Sequence, residues 1–162
     1  INEHFKLSKQ KPKFKGLLTT GSIDEKKIYA IKPLTFMNNS GTAIKELIDY
    51  FKIDAKDVIV FHDDMDIDFG KVKAKFGGSS AGHNGIESID KFIGKDYSRV
   101  RIGIGHPKQK KRVNNHVLED FKEDEDEKIK EITENIVKQI PTLIEKKLDL
   151  FSSKVNQNLN GI

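Results

Sequence analysis

The chain contains no cysteine and no long apolar run. Without cysteine it can form neither a disulfide framework nor a thiolate metal site, which fits a cytoplasmic protein. No segment approaches the roughly 18 apolar residues that a transmembrane helix needs. The opening segment, INEHFKLSKQKPKFK, lacks the apolar core of a secretion signal. Because the first residue is isoleucine rather than methionine, we expect the chain to begin inside a longer gene product.

What is present is a strongly charged sequence with enough apolar residues for a core. Its 162 residues are 33% charged and 36% hydrophobic, which is the composition of one ordinary globular domain. The net charge of +4 is unevenly distributed, because residues 119–134 carry a net charge of −6 and the rest of the chain carries +10. The basic remainder favours a polyanionic partner, and a simple solubility balance is the alternative.

Strand and helix patterns alternate along the chain. Residues 16–20 and 28–31 predict a hairpin, and apolar residues at i, i+3, i+4 and i+7 predict a helix over 40–51. The pattern predicts further strands at 58–61, 71–76 and 99–105, further helices at 83–93, at 125–140 and up to about residue 151, and a loose tail over 152–162. This order predicts an α/β fold, a single domain over residues 1–162 with a twisted mixed sheet flanked by helices.

A carboxylate cluster, HDDMDID, follows the strand predicted at 58–61. Asp63 lies beyond the carboxyl end of that strand, where open α/β sheets bind ligands. An EF-hand loop would need glycine and glutamate where Phe69 and Lys75 stand, and the lysines that follow disfavour Mg²⁺, so no metal is expected. Asp63 is therefore the candidate functional acid, and the other aspartates are interpreted as turn residues (Asp64, Asp66 and Asp68).

The glycine-rich turn GGSSAGHN contains a G-x-S-x-G match centred on Ser80, the sequence of a serine-hydrolase elbow. An elbow strand is buried on both faces, whereas the strand predicted at 71–76 has lysine at every second position. Short motifs also match by chance. Ser80 is therefore kept as the less favoured nucleophile, and the glycines are interpreted as points where main chain can approach a ligand.

Basic side chains and two amides complete the set of candidates. Lys73 and Lys75 share one strand face, Arg101 lies on another strand, and a basic cluster follows at 108–112. Beside the start of a helix, such residues favour phosphate binding. Asn38 and Asn84 each stand where a helix begins, so each either caps its helix or holds a carbonyl group or a water molecule.

Three segments in this order, KPLTFMNNSG, VFHDDMDIDFGKVKAKFGGSSAGHNGI and RVRIGIGHP, resemble the internal signatures of bacterial peptidyl-tRNA hydrolases. The resemblance implies hydrolysis, without a metal or other cofactor, of the ester bond between a peptide and tRNA, which recycles tRNA from stalled translation. It implies that Asp63 orients the catalytic histidine and that Asn38 and Asn84 position the substrate carbonyl and water. It also implies that Phe36 lines the ribose and terminal-adenosine site. The residues implied to meet tRNA phosphates are Lys73, Lys75 and Arg101.

The same resemblance implies that the general base is the histidine of an Arg-His-Asn segment, which the 162 residues do not contain. His83 is the best remaining titratable candidate. We therefore expect the gene product to be a peptidyl-tRNA hydrolase and this chain alone to be inactive. The alternatives are an RNA-binding module of the same fold that lacks catalysis and a serine hydrolase acting through Ser80. A cytoplasmic monomer without an obligate protein partner is expected.

Overall fold

The computed structural model describes residues 1–107 and 113–159. The sequence predicts one domain, and the structure divides these residues into two units. The first contains Ile1–Ile59 and Phe76–Ser98, and the second contains Val60–Lys75 and Arg99–Ile162. The basic cluster predicted at 108–112 lies outside the described residues. Within the described ranges, no helix is long and apolar enough to cross a membrane.

The first unit contains an antiparallel sheet. Its strands, in spatial order, are β1 (Lys11–Lys13), β2 (Gly16–Ile23) and β3 (Lys26–Pro33). β2 and β3 form the predicted hairpin, in continuous register from Gly16 opposite Pro33 to Ile23 opposite Lys26. The sequence gives no prediction of β1, because its three residues, KPK, are too few to show an alternation.

Two helices, α1 (Ser40–Phe51) and α2 (Asn84–Ile93), pack against each other in the first unit. Their approach is close because Gly41 has no side chain: a Cβ atom there would lie 2.3 Å from the carbonyl oxygen of Ser88. The Gly41 N–H also donates a hydrogen bond of 2.9 Å to the Ser88 hydroxyl. The apolar positions expected from the helical period are buried in this contact region (Ile44, Leu47, Ile48, Ile86 and Ile89).

The second sheet has the strand order β4–β6–β5, with β4 at Ile59–Asp64, β5 at Val72–Phe76 and β6 at Ser98–Gly103. Hydrogen bonds at a constant sequence offset, from Ser98 N to Val58 O and from Ile104 N to Asp64 O, make β4 and β6 parallel. Between β5 and β6 the partners run in opposite order, which makes that pair antiparallel (Gly103 N to Lys71 O, Gly77 N to Tyr97 O). The predicted α/β class and its mixed sheet are confirmed.

Helices form most of the rest of the second unit. They are α3 (Val113–His116), α4 (Glu123–Lys138), α5 (Ile140–Ile144) and α6 (Leu148–Leu159). The prediction of a loose tail from residue 152 is wrong as far as Leu159, because α6 continues to that residue. Phe151, Val155 and Leu159 are buried at spacings of four, so they form one apolar face of the helix. Residues 160–162 lie outside the described ranges.

Candidate active site

Two exposed amides of the first unit stand on segments that touch each other. Asn38 lies in a short 3-10 turn, Met37–Asn39, directly before α1, and Asn84 is the first residue of α2. The segments pack closely because Gly85 has no side chain: a Cβ atom there would lie 2.6 Å from the Met37 sulfur. The two amide-bearing segments are therefore neighbours within this unit.

The helix caps at these two positions are provided by other residues. The N-cap residue of α1 is Asn39, whose side chain makes no capping hydrogen bond, and the N-cap residue of α2 is His83. The capping interpretation that the sequence left open for Asn38 and Asn84 is therefore not realised in this structure.

The His83 side chain caps α2 through its ring. Its Nδ1 accepts hydrogen bonds from the backbone N–H groups of Gly85, at 3.1 Å, and Ile86, at 3.2 Å. A ring nitrogen that accepts in this way carries no proton, so protonating it would break both capping bonds. These two bonds occupy Nδ1 and disfavour the role of a general base acting through that atom.

Ser80 makes hydrogen bonds that do not fit a nucleophilic serine. Its hydroxyl donates to the Glu87 carboxylate at 3.3 Å and accepts from the Gly82 N–H at 3.4 Å. Within the described part of the chain, no histidine is hydrogen-bonded to this hydroxyl, so the base that an elbow serine needs is not in place. The serine-hydrolase alternative loses its support.

β4 ends in two adjacent carboxylates with different surroundings. The strand extends through Asp64, so Asp63 and Asp64 belong to the strand end, and successive side chains of a strand point to opposite faces. Asp64 is buried: one carboxylate oxygen accepts from Arg101 Nε at 2.7 Å, and the other accepts from the Asp66 N–H at 2.9 Å. Asp63 is half-buried. The interpretation of Asp64 as a turn residue is therefore wrong, whereas Asp66 and Asp68 are exposed and follow the strand, as predicted.

The contacts of Asp64 change its acidity. Burial raises the pKa of its carboxyl, but the hydrogen bond and charge of Arg101, the Asp66 N–H and the charge of His62 together lower it more. The pKa of Asp64 therefore lies below its ordinary value, and the group is a carboxylate at neutral pH. Arg101, which the resemblance assigns to tRNA phosphates, donates a hydrogen bond from its Nε to this carboxylate.

The remaining predicted residues are exposed within their own units. In the second unit, Lys73 and Lys75 project from one face of β5, and Val72, on the opposite face, is buried. In the first unit, 88% of the Phe36 side chain is exposed, directly before the Met37–Asn39 turn. An apolar ring that is this exposed beside an amide is available to contact a ligand.

Comparison with known proteins shows which family has this combination of features. Residues 1–161 match the profile of the family described as "Peptidyl-tRNA hydrolase". The chain is 74% identical over 156 residues to the peptidyl-tRNA hydrolase of Pelagibacter ubique (strain HTCC1062), an alignment that covers 96% of this chain and 84% of that protein. The chain belongs to the peptidyl-tRNA hydrolase family.

More distant relatives agree in sequence and in fold. The peptidyl-tRNA hydrolase of Bartonella henselae is 42% identical over 161 residues, which cover 99% of this chain and 83% of that protein. The crystal structure of peptidyl-tRNA hydrolase from Acinetobacter baumannii superposes with a TM-score of 0.87 at 29% identity, covering 96% of this chain and 80% of that one. Membership of this family and the 74% identity to the Pelagibacter ubique enzyme support hydrolysis of peptidyl-tRNA as the activity.

The Asp64–Arg101 pair is the feature of this peptidyl-tRNA hydrolase that sequence interpretation missed. An acid at the end of one strand and an arginine within another become partners only when the strands are adjacent and in register. The parallel register of β4 and β6 supplies that condition. From the sequence, the only signal was an arginine in a strand whose neighbouring residues are apolar.

Proposed function

We propose that Asp63, Asn38 and Asn84 assist a histidine general base, which the 162 residues do not contain, in the hydrolysis of peptidyl-tRNA. Asp63 orients the histidine general base that the resemblance implies, and it stabilises the imidazolium that forms when this base takes a proton from water. The resulting hydroxide attacks the ester carbonyl, and the proton passes to the ribose oxygen as the ester bond breaks. Asn38 and Asn84 hold the attacking water and donate to the oxygen that becomes negatively charged.

The observation that supports this proposal most strongly is the contact between Met37 and Gly85. Because this contact holds the segments of Asn38 and Asn84 side by side, the side-chain N–H groups of both residues can act on one substrate. Both amides are exposed, and the helix caps at their positions are Asn39 and His83, so the side chains are available to a ligand.

Replacing Asn38 by aspartate in the complete gene product tests the amide role, because the 162 residues alone lack the implied general base and are expected to be inactive. Asn38→Asp keeps the size of the side chain but removes its N–H donors and adds a negative charge where one develops in the reaction. We expect kcat for peptidyl-tRNA to fall by about 10²-fold or more, with a smaller change in KM.

The matched control is Asn39→Asp, one residue further along the same turn. Asn39 is exposed, and aspartate is as good an N-cap residue as asparagine. We expect this variant to change kcat less than about threefold. Equal losses in the two variants would refute the role of Asn38.

Three exposed side chains are proposed to contact the tRNA. Lys73 and Lys75 are exposed on one strand face and form no salt bridge with a described carboxylate, so their charges are available to phosphates. Phe36 offers its exposed ring to the terminal adenosine and ribose. Because Arg101 already forms an ion pair with Asp64, we expect it to contribute less to tRNA affinity than the two lysines do.

We further infer a cytoplasmic monomer. Peptidyl-tRNA is made by translation, so its hydrolase works in the same compartment. The acid–base roles proposed above need no second chain. Sedimentation velocity checks the oligomeric state: one chain per particle is expected, and a stable dimer at micromolar concentration would contradict it.

A further inference from the structure

A cluster of aromatic rings surrounds a lysine where the first sheet meets the end of α1. Tyr29 stacks on Phe51 with ring centroids 4.0 Å apart, and Phe14 lies 5.2 Å from Tyr50 and 5.7 Å from Phe51. The Lys13 ammonium is 4.1 Å from the centroid of Tyr50 and 4.8 Å from that of Phe14. These distances are within cation–π range. Tyr50 is nevertheless 63% exposed, so most of its surface is not covered by the protein.

The turn that presents this cluster has an unusual conformation. Phe14 and Lys15 connect β1 to β2, and both have left-handed backbone angles, with φ of 54° and 55°. Two-residue hairpin turns of this kind normally contain Asn-Gly or Asp-Gly, because a side chain is unfavourable there. Here the contacts of Phe14 with the α1 aromatics and a 2.6 Å ion pair between Lys15 and Glu46 hold the turn. Because the folded chain keeps this unfavourable backbone conformation, we infer that the side chains presented by the turn have a function.

Lysines border the aromatic cluster on the sheet face that contains Leu18 and Tyr29. Residues 1–33 contain eight lysines and three acidic residues, a net charge of +5 within a chain whose total is +4. The register places Lys11 and Lys13 of β1 on the same face as Lys27 and Tyr29 of β3, because directly opposed residues of antiparallel strands share a face. None of Lys11, Lys13 and Lys27 forms a salt bridge with a carboxylate in the described ranges, and Lys27 lies 5.4 Å from the Tyr29 ring.

We propose that this aromatic–lysine surface (Lys11, Lys13, Phe14, Lys27, Tyr29 and Tyr50) is a second contact site for the RNA of the substrate, separate from the residues assigned to hydrolysis. The lysines meet phosphates, and the exposed Tyr50 ring stacks on an unpaired base of the tRNA body. The combination of cations with exposed rings is typical of surfaces that bind single-stranded segments of nucleic acid. An acidic peptide would use the lysines but would leave the ring without a partner. The proposal rests on tRNA being the substrate and is independent of the roles of Asp63, Asn38 and Asn84.

The test is made on the complete gene product and compares two substrates. One is full-length peptidyl-tRNA, and the other is the same peptidyl group on a CCA trinucleotide, which has no tRNA body. We expect Tyr50→Ala to lower kcat/KM on the full-length substrate by about fivefold or more and to leave kcat/KM on the trinucleotide ester within about twofold of the unchanged enzyme. Tyr50→Phe keeps the ring and should retain full activity on both. Phe121→Ala, which removes a 43% exposed ring from the acidic stretch at residues 119–134, is the control and should affect neither substrate.

Two outcomes would overturn the proposal. Unchanged kcat/KM on full-length peptidyl-tRNA would show that the RNA does not use Tyr50. An equal loss on both substrates would show that Tyr50 acts through the fold or the hydrolytic residues. The chain has no tryptophan, so Tyr50→Trp provides a single fluorescent reporter. We expect its emission to be quenched by saturating deacylated tRNA, and emission that stays constant at saturation would also overturn the proposal. The roles of Asp63 and Asn38 are tested separately, because variants at those residues should change kcat/KM on both substrates alike.

Discussion

At the scale of single residues, the end of β4 places two carboxylates with different surroundings next to each other. Asp64 is buried and paired with Arg101, whereas Asp63, which we propose as the functional acid, is half-buried. A buried carboxylate without its cation would be strongly unfavourable, so Arg101 is needed to keep Asp64 buried and charged at the end of β4. We infer that the pair fixes the backbone from which Asp63 projects.

Asp64→Asn is expected to destabilise the fold in a pH-dependent way. The folded pKa of Asp64 is below its unfolded value of about 3.9, so its stabilising effect is fully present above about pH 5. It is lost as the pH falls through the folded pKa. The variant should lose about 2 kcal/mol of unfolding free energy at pH 7, and the difference from the unchanged protein should shrink below about pH 4. Urea denaturation at several pH values measures this, with the exposed Asp66→Asn as control; a difference that is constant with pH would contradict it.

Residue-level prediction depends on what each side chain's own segment shows. The resemblance selects Asp63, Asn38 and Asn84 from local motifs, and the structure gives the two amides adjoining segments. It does not work where a role depends on another strand: Asp64 was interpreted as a turn residue because its partner Arg101 is 37 positions away. The same limit applies to His83, because its capping hydrogen bonds depend on the orientation of its ring, which cannot be predicted from the sequence.

At the scale of elements, α6 protects the outer edge of the second sheet. The Asn156 amide donates to the Val72 carbonyl oxygen at 2.7 Å and accepts from the Val72 N–H at 3.0 Å, which imitates one step of a strand pair. The Ser152 hydroxyl accepts from the Ala74 N–H at 2.8 Å, one helical turn away. Because β5 is an edge strand, these bonds satisfy backbone groups that would otherwise be open to pairing with another chain.

Asn156→Ala is expected to loosen this edge. It removes both bonds to Val72 and should lower the unfolding free energy by about 2 kcal/mol. The amide of Val72 should then exchange its hydrogen faster, because its acceptor is gone. The control is Gln157→Ala, one residue further along the helix and exposed. If the Val72 amide exchanged at the same rate in Asn156→Ala and in the control, the edge contact would carry no stabilisation.

The elements could be predicted from periodicity, whereas their ends and their edge contacts could not. The period-2 and period-3.6 patterns correctly predict β2, β3, β5, β6, α1 and α2 to within a few residues. β1 has too few residues for a pattern, and the polar sequence of α6 beyond residue 152 hides the apolar spacing of Phe151, Val155 and Leu159. The polar residues that obscured this helix, Ser152 and Asn156, are the ones that bind β5.

At the scale of the whole molecule, the charge distribution suits a polyanionic substrate. The net charge of +4 combines an acidic stretch at residues 119–134 with a basic remainder. A tRNA that approaches the basic remainder releases counterions from its phosphates, so its affinity must fall as salt rises. The exposed Lys73 and Lys75 are the side chains on the second sheet that we assign to phosphates.

Replacing both lysines is expected to weaken tRNA binding and to flatten its salt dependence. In Lys73→Ala/Lys75→Ala, the slope of log K against log salt should decrease in magnitude by about 1 for each phosphate that is no longer neutralised. Lys130→Ala, on the exposed surface of the acidic helix α4, should leave the slope unchanged. Fluorescence anisotropy of labelled tRNA between low and physiological salt gives both slopes. Equal slopes for the double variant and the unchanged enzyme would remove the two lysines from the tRNA site.

The central claim, that Asp63 serves the chemical step of peptidyl-tRNA hydrolysis, is tested most directly by the single-turnover rate of Asp63→Asn in the complete gene product. The isosteric change removes the charge that orients and stabilises the general base, and Asp66→Asn removes a charge from the adjacent exposed turn as a matched control. We predict that the rate of ester cleavage falls by about 10²-fold or more in Asp63→Asn, while tRNA affinity stays within about threefold. We predict that Asp66→Asn cleaves at nearly the unchanged rate. A cleavage rate in Asp63→Asn equal to that of Asp66→Asn would contradict the account.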